Sequence, residues 1–183
     1  MIDKIMQKTM PGFIGRATMV HFVTYFVFGL IFLFFNPFHP GQHAISVLLP
    51  EFECFFRSID DPLVRAGPLF QFVRGPILAL ALFPFRNIFL QRKWGWLYLW
   101  GLFLGLAILA PCAPAPVSIE GWVYSKLTFW QSISAAPESI LQTLAFSALF
   151  FIWERKRERR ITIPVMVAFI VAVVFAVFAV LLT

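Results

Sequence analysis

The chain has 183 residues, of which 60% are hydrophobic and only 13% are charged. Soluble domains are about half apolar and about a quarter charged, so this composition excludes an ordinary soluble domain. The formal net charge is +6, but the basic residues are concentrated in short segments between apolar runs. That arrangement is the orientation signal of membrane proteins, and no nucleic-acid partner is expected.

Several apolar runs are long enough to cross a bilayer, since about 20 helical residues span its hydrocarbon core. The sequence predicts an all-α integral membrane bundle of five transmembrane helices, with residues 1–183 forming a single domain. The predicted spans cover about 17–35, 62–85, 94–110, 138–153 and 161–182. The fourth predicted span is short and would require local thinning, tilt or burial by neighbouring helices.

Charge alternates between the successive connections. Basic residues precede the first span and fill the connections after the second and fourth spans, whereas the other two connections carry few cations. Because Lys and Arg accumulate on the cytoplasmic side, the N-terminus is predicted to be cytoplasmic and Thr183 to lie outside. The run ERKRERR at 154–160 is interpreted as a topology determinant that touches lipid headgroups.

The connection after the first span has an amphipathic pattern of its own. Four apolar residues recur at helical spacing and predict a short helix in the outer membrane interface: Phe52, Phe55, Phe56 and Ile59. Asp61 and Pro62 then have the form of an N-cap and a first helical residue. The aromatic segment SIEGWVYSKLTFW at 118–130 favours a second interfacial helix, with a re-entrant segment as the alternative.

The chain has two cysteines, Cys54 and Cys112. The predicted topology puts both on the outer face, where a disulfide is chemically allowed if that face is the periplasm. Two unpaired thiols remain the alternative, because a disulfide depends on a Cα separation that the sequence does not give.

One permanently charged residue lies inside an apolar run. Arg74 occurs in QFVRGPILAL, at 71–80 of the second predicted span, beside a helix-weakening Gly-Pro pair. An Arg at the centre of a bilayer costs about 2.5–3.5 kcal/mol on insertion scales, so Arg74 is expected to face protein or water inside the bundle. The candidate anionic partners are Glu120 and Glu138, and Arg86 at the end of the same span completes the candidate charge cluster.

Two interpretations of this cluster stay open. In the first, Arg74 forms a structural clamp between helices through Glu138 or Glu120. In the second, it binds an anionic group such as a carboxylate, a phosphate or a lipid headgroup. His21 is a further polar residue in an apolar run, and we expect it to be a hydrogen-bonded core residue.

No metal site is predicted, the cofactor is unknown, and no familiar catalytic motif such as HExxH or GxSxG occurs in the sequence. Gly101 and Gly105 have the GxxxG spacing that lets another helix approach closely. The 24 Phe residues are typical of lipid-facing and interhelical packing, with a surface for another subunit or a flat hydrophobic ligand as the alternative.

Two segments carry a resemblance. The runs VRGPILALALFPFR at 73–86 and GWLYLWGLFLGLAILAPCAPAPVSIEG at 95–121 resemble segments of small uncharacterised bacterial polytopic membrane proteins. The resemblance covers about half the chain. It implies a multi-pass protein of the bacterial cytoplasmic (inner) membrane, and it implies no activity.

The expected function is therefore that of a non-enzymatic accessory or binding component of a larger membrane assembly. Its partners would be membrane lipid and other membrane subunits or further copies of the chain. The alternative is a small membrane enzyme or transporter that binds an anionic or lipid substrate at Arg74 in an outward-facing cavity.

Overall fold

The computed structural model describes residues 2–34, 61–109, 118–124, 129–130 and 136–181. Within these ranges the regular structure is entirely helical. The α-helices are α1 (Ile2–Phe34), α2 (Pro62–Arg65), α3 (Gln71–Leu82), α4 (Arg86–Leu90), α5 (Gly95–Leu109), α6 (Ile119–Tyr124), α7 (Ala136–Lys156) and α8 (Arg159–Leu181). The predicted outer interfacial helix after the first span, Cys54 and Cys112 lie outside the described residues.

Four helical segments are long and apolar enough to cross a membrane: Met10–Phe32, Gly67–Leu90, Ala136–Lys156 and Arg159–Leu181. To this extent the predicted all-α membrane architecture is confirmed. The third predicted span corresponds to α5, which has 15 residues. At 1.5 Å per residue α5 rises about 22 Å, which is less than the roughly 30 Å hydrocarbon core of a bilayer.

The fourth span differs from its prediction. We expected a short helix over 138–153, but α7 has 21 residues and rises about 31 Å. The helix begins at Ala136 and continues through Arg155 and Lys156. Charged residues at a helix end do not stop the helix, because their long side chains can reach the headgroup layer. Of the helices at the third and fourth predicted spans, the short one is therefore α5 and not α7.

The second span is a composite of short helices. The predicted cap is confirmed, since the Asp61 side chain accepts a hydrogen bond of 2.8 Å from the Leu63 amide and Pro62 begins α2. Two 3₁₀ turns, Gly67–Phe70 and Phe83–Phe85, each begin with a proline at one of their first two positions. Proline fits the first positions of a helix because its missing N–H is not needed there.

The helix α1 is the centre of the packing and contacts α3, α7 and α8, while α5 packs against α4 and α7. The main core is aromatic. The Phe13 ring lies 5.4 Å from the Phe83 ring and 5.0 Å from the Phe150 ring, both in edge-on geometry. A smaller core forms where Phe22 of α1 packs on Ala172 and Ala176 of α8.

The packing around Gly75 explains why a helix-weakening residue follows Arg74. A Cβ at this position would lie 2.8 Å from Thr18 Cγ2 and 2.9 Å from Thr18 Cα. Such distances are shorter than any van der Waals contact, so α1 and α3 approach each other here too closely for a side chain. The glycine is therefore part of the α1–α3 interface.

Three basic segments meet at one end of the bundle, which we call the basic end. Arg16 of α1 forms an ion pair with Glu154 of α7. Arg155 donates a hydrogen bond of 3.4 Å to the carbonyl of Arg92, in the turn between α4 and α5. The segments that the charge pattern assigns to one side of the membrane are thus neighbours in the fold.

Candidate functional site

Arg74 lies on the exposed side of α3. The buried residues of this helix are Gln71, Gly75, Ala79 and Leu82, whereas Arg74 and its neighbours Val73 and Ile77 are exposed. We expected Arg74 to face protein or water and not lipid. The small residues Gly75 and Ala79 occupy the buried side of α3, because α1 approaches α3 there. The guanidinium therefore lies on the lateral surface of the described chain.

The clamp interpretation finds no support at Glu138. In the described part of the chain, no nitrogen of Arg74 lies within the 4.0 Å ion-pair distance of a Glu138 oxygen. Glu120 belongs to α6, but its side chain is outside what the structure describes.

Arg86, the fourth residue of the predicted charge cluster, begins α4, twelve residues after Arg74. Its Nη1 donates a hydrogen bond of 3.1 Å to the Phe83 carbonyl, and its guanidinium lies 4.1 Å from the centre of the Phe83 ring. These contacts are local to the far end of the second span.

Tyr25 and His21, one turn apart on α1, face the charged residues. The Tyr25 phenol lies within electrostatic range of both Arg74 and Glu138, and the His21 imidazole within range of Arg74. A Cβ at Gly67 would lie 3.9 Å from the Tyr25 hydroxyl, so this hydroxyl reaches the start of the second span. We call the group of His21, Tyr25, Gln71, Arg74 and Glu138 the Arg74 site.

Gln71 contributes a buried amide to the site. The residue is only 1% exposed, and its Nε2 donates a hydrogen bond of 3.4 Å to the Gly67 carbonyl. A carbonyl only accepts, so the amide nitrogen must face Gly67. Gln71 Oε1 accepts no well-formed hydrogen bond from any described residue, although the His21 ring is its neighbour. One polar atom of the site is therefore unsatisfied in this conformation.

His21 has a packed environment on its other side. Its ring lies edge-on to Phe146 with 5.8 Å between ring centres. It also lines a cavity of about 60 Å³, whose other walls are Leu78, Phe103, Gln142, Thr143 and Phe146. This environment agrees with the expectation of a core histidine. Among the described residues no group of three or more His, Cys, Asp or Glu side chains is arranged to hold a metal ion.

The sequence reasoning missed an ion pair at the basic end. Glu154 is buried and accepts hydrogen bonds from Arg16 Nε and, at 3.4 Å, from Arg157 Nη2. We had interpreted Glu154 only as the first residue of the basic run. The available signal was a single acid at the end of an apolar helix, where it has to be paired to be buried.

The reasoning also missed Tyr25 and Gln71, for which a signal existed. Polar residues within otherwise apolar helices were that signal: His21 and Tyr25 lie one turn apart in α1, and Gln71 lies in the apolar second span. Residues four apart share a helix face. A polar pair on one face of α1 indicates that this face contacts other polar groups.

The Arg74 site offers a cation and an anion that form no ion pair with each other, together with the phenol of Tyr25 and the imidazole of His21. Such an arrangement can bind a charged group through ionic and hydrogen bonds. In comparisons with known proteins, no family model, no curated protein and no solved structure matches the chain.

Proposed function

We propose that this chain is a five-helix protein of the bacterial inner membrane that binds the anionic group of a lipid or other amphiphile at the Arg74 site. The observation that carries the proposal is the position of Arg74. It lies on the lateral surface of a membrane-spanning segment, and within the described part of the chain it has no carboxylate partner.

The physical reason is the cost of an unpaired cation in hydrocarbon. An Arg at depth costs about 2.5–3.5 kcal/mol on insertion scales. A phosphate or carboxylate offsets that cost and accepts two parallel hydrogen bonds from the guanidinium. Because the neighbours Val73 and Ile77 are 60% and 62% exposed, an amphiphile can approach Arg74 sideways from the bilayer with its chains against an apolar surface.

The orientation of the protein follows from its basic end. The basic segments meet at one end of the bundle, and Lys and Arg favour the cytoplasmic side. The N-terminus is then cytoplasmic and the C-terminus outside. In this orientation Arg74, seven residues from Gly67 and sixteen from Leu90, lies in the outer half of its span. The short α5 serves as the fifth span, supported by its packing on α7.

The test compares two arginine variants in nanodiscs made from a bacterial polar lipid extract. Native mass spectrometry counts the amphiphiles that stay bound to the wild type, to Arg74→Gln and to Arg159→Gln. Arg159 is an exposed cation of the basic end, so Arg159→Gln removes the same charge as Arg74→Gln and serves as the control. We expect one phosphate- or carboxylate-bearing amphiphile on the wild type and Arg159→Gln, and none on Arg74→Gln. Equal retention by all three proteins would overturn the proposal.

A second candidate function is that of an accessory subunit in a larger membrane assembly. Gly101 and Gly105 of α5 favour it, because a Cβ at either position would have no heavy atom of a described residue within 4 Å. The described part of the chain therefore leaves the GxxxG face uncovered, and a helix of another subunit or of a second copy can pack there closely.

The accessory function is tested by the size of the particle. Gly101→Leu and Gly105→Leu would be compared with Gly29→Leu, because Gly29 of α1 also has open space around it but no GxxxG partner. On native gels at native expression level, the first two variants should lose a larger particle that the third retains. A particle of one chain in the wild type would contradict this candidate function.

A further inference from the structure

A cavity of about 280 Å³ lies between the second half of α5, α6 and the beginning of α7, and we call it the α5–α7 cavity. Because α5 begins and α7 ends at the basic end, the cavity lies toward the opposite end of the bundle. None of the five described residues of the Arg74 site lines it. It is therefore a separate candidate for ligand binding.

Hydrogen bonds hold the walls of the α5–α7 cavity in place. Trp100 Nε1 of α5 donates a hydrogen bond of 3.3 Å to the carbonyl of Ile140 in α7. Ser118 Oγ accepts a hydrogen bond of 2.9 Å from the Gly121 amide, which caps the start of α6. The cavity is therefore formed before any ligand binds, as ligand pockets usually are.

The lining of the cavity selects an uncharged ligand. It is apolar apart from the hydroxyl groups of Ser118 and Ser139, and none of its described residues is charged. A charged ligand would lose its hydration there without gaining an opposite charge, which is costly. An apolar cavity of about 150 Å³ holds one benzene molecule. A cavity of about 280 Å³ therefore has room for a ring system larger than benzene.

Two aromatic side chains favour a flat ring over a lipid chain. Trp122 and Phe129 both line the cavity, and their rings meet edge-on with 6.0 Å between the ring centres. The two residues are 48% and 52% exposed, so they lie at the rim, where a ligand enters. Contacts between aromatic rings stabilise a bound ring beyond the effect of the area that it buries. A lipid chain gains only from the buried area.

Ser139 supplies one hydrogen-bond donor to the cavity. Within the described part of the chain its hydroxyl has no hydrogen-bond partner, whereas Ser118 Oγ already binds the Gly121 amide. A carbonyl group accepts a hydrogen bond from a hydroxyl and brings no donor of its own. A phenol would bring a further O–H group, and a buried donor without a partner is costly.

We infer that the α5–α7 cavity binds an uncharged flat ring that carries a carbonyl group, as quinones do. The ring lies against Trp122 and Phe129, and its carbonyl oxygen accepts a hydrogen bond from the Ser139 hydroxyl. The inference goes beyond the proposed function, because this ligand has no charge and its binding does not involve Arg74.

The experiment measures the binding of two ligands of the same shape by equilibrium dialysis against the full chain in nanodiscs. One is 2-acetonaphthone, which carries a carbonyl group, and the other is 2-ethylnaphthalene, which has a methylene group in its place. Empty nanodiscs give the amount of each ligand that dissolves in the lipid. Above this amount, we expect the wild type to bind one molecule of 2-acetonaphthone per chain, with saturation.

Two variants locate the ligand and its hydrogen bond. Ser139→Ala should bind 2-acetonaphthone about fivefold more weakly, as for the loss of one neutral hydrogen bond, and should bind 2-ethylnaphthalene as the wild type does. Ala107→Phe places a ring inside the cavity, since Ala107 lines it, and should lose both ligands. Ala81→Phe, at an exposed position of α3, is the matched control and should retain both.

Each of three results would overturn the inference. The first is the absence of saturable 2-acetonaphthone binding by the wild type, which does not depend on the folding of any variant. The second is unchanged affinity of Ser139→Ala for 2-acetonaphthone, because the cavity would then accept any hydrocarbon by burial alone. The third is full binding of both ligands by Ala107→Phe, since the ligands would then lie elsewhere on the protein.

Discussion

At the basic end of the bundle, opposite charges are paired within the chain, whereas at the Arg74 site the described residues form no such pair. Glu154 has 3% of its side chain exposed and is paired with Arg16 and Arg157. Arg74 and Glu138, in the other half of the bundle, form no ion pair with each other. Both regions contain one carboxylate and at least one guanidinium, so composition alone does not distinguish them.

The difference in pairing separates a structural role from a binding role. A buried ion pair whose members satisfy each other is strongly destabilised when one partner is removed, because the remaining charge is left in a low dielectric. A charged residue without a partner gives up nothing within the chain when it is replaced. The two regions should therefore respond to neutralisation with opposite signs.

The largest expected effect is at Glu154. Glu154→Gln should lower the free energy of unfolding by about 3–5 kcal/mol, because Arg16, with 18% of its side chain exposed, is left without its carboxylate. The measurement is denaturant unfolding of the detergent-purified protein. Glu158→Gln, an exposed acid of the same segment, is the matched control and should change little.

The double variant Arg16→Met with Glu154→Leu sharpens this prediction. It removes both charges, so it should recover part of the stability that Glu154→Gln loses. If the loss of stability in the double variant, relative to the wild type, equals the sum of the losses in the two single variants, the residues are not coupled and the pair has no structural role.

The next largest effect is expected at Arg74, where neutralisation should raise the free energy of unfolding instead of lowering it. In detergent without added lipid, Arg74→Met should raise the free energy of unfolding by about 2 kcal/mol, because the cost of an unpaired cation at depth disappears. Arg159→Met, at the exposed basic end, should leave it unchanged. The same unfolding measurement applies. A loss as large as that of Glu154→Gln would show that Arg74 is paired within the folded chain, as the clamp interpretation requires.

The sequence predicted the helices and their caps well, for physical reasons. Long apolar runs have few alternatives to helix in a bilayer, where every backbone polar group has to be satisfied internally. The cap at Asp61 and Pro62 was also predictable, because it depends on residues that adjoin in the chain. The end of α7 was not predicted correctly, since the predicted span ended at Trp153 and the helix in the structure continues to Lys156.

The contents of the Arg74 site were predictable only in part. Arg74 and Glu138 were named from their charge and depth, and the charges of both act on the Tyr25 phenol. The membership of Tyr25 and Gln71 in the site depends on which faces of α1 and α3 meet. The close approach of Gly75 to Thr18 decides which faces these are. A contact between distant segments leaves no local pattern in either one. The pairing of Arg16 with Glu154 is of the same kind.

The smallest effects are expected from variants that each remove one neutral hydrogen-bonding group, one in each region. Trp153 is 3% exposed, and its Nε1 donates a hydrogen bond of 2.8 Å to Thr162 Oγ1. Thr162→Val leaves this buried donor without an acceptor and should lower the free energy of unfolding by about 1 kcal/mol. Gln71→Met should change it by less than about 0.5 kcal/mol, because the loss of the long 3.4 Å hydrogen bond from Nε2 to the Gly67 carbonyl is offset by removal of the unsatisfied Oε1.

These two variants test whether the contrast between the regions extends beyond charge. Both replace a polar side chain by an apolar one of similar volume, so a difference between them reports on hydrogen-bond satisfaction. If Gln71→Met is as destabilising as Thr162→Val, then Gln71 Oε1 is satisfied in the folded protein, with the adjacent His21 ring as the donor. The Arg74 site would then be a partly closed network within the chain, and only its charged residues would remain available to a ligand.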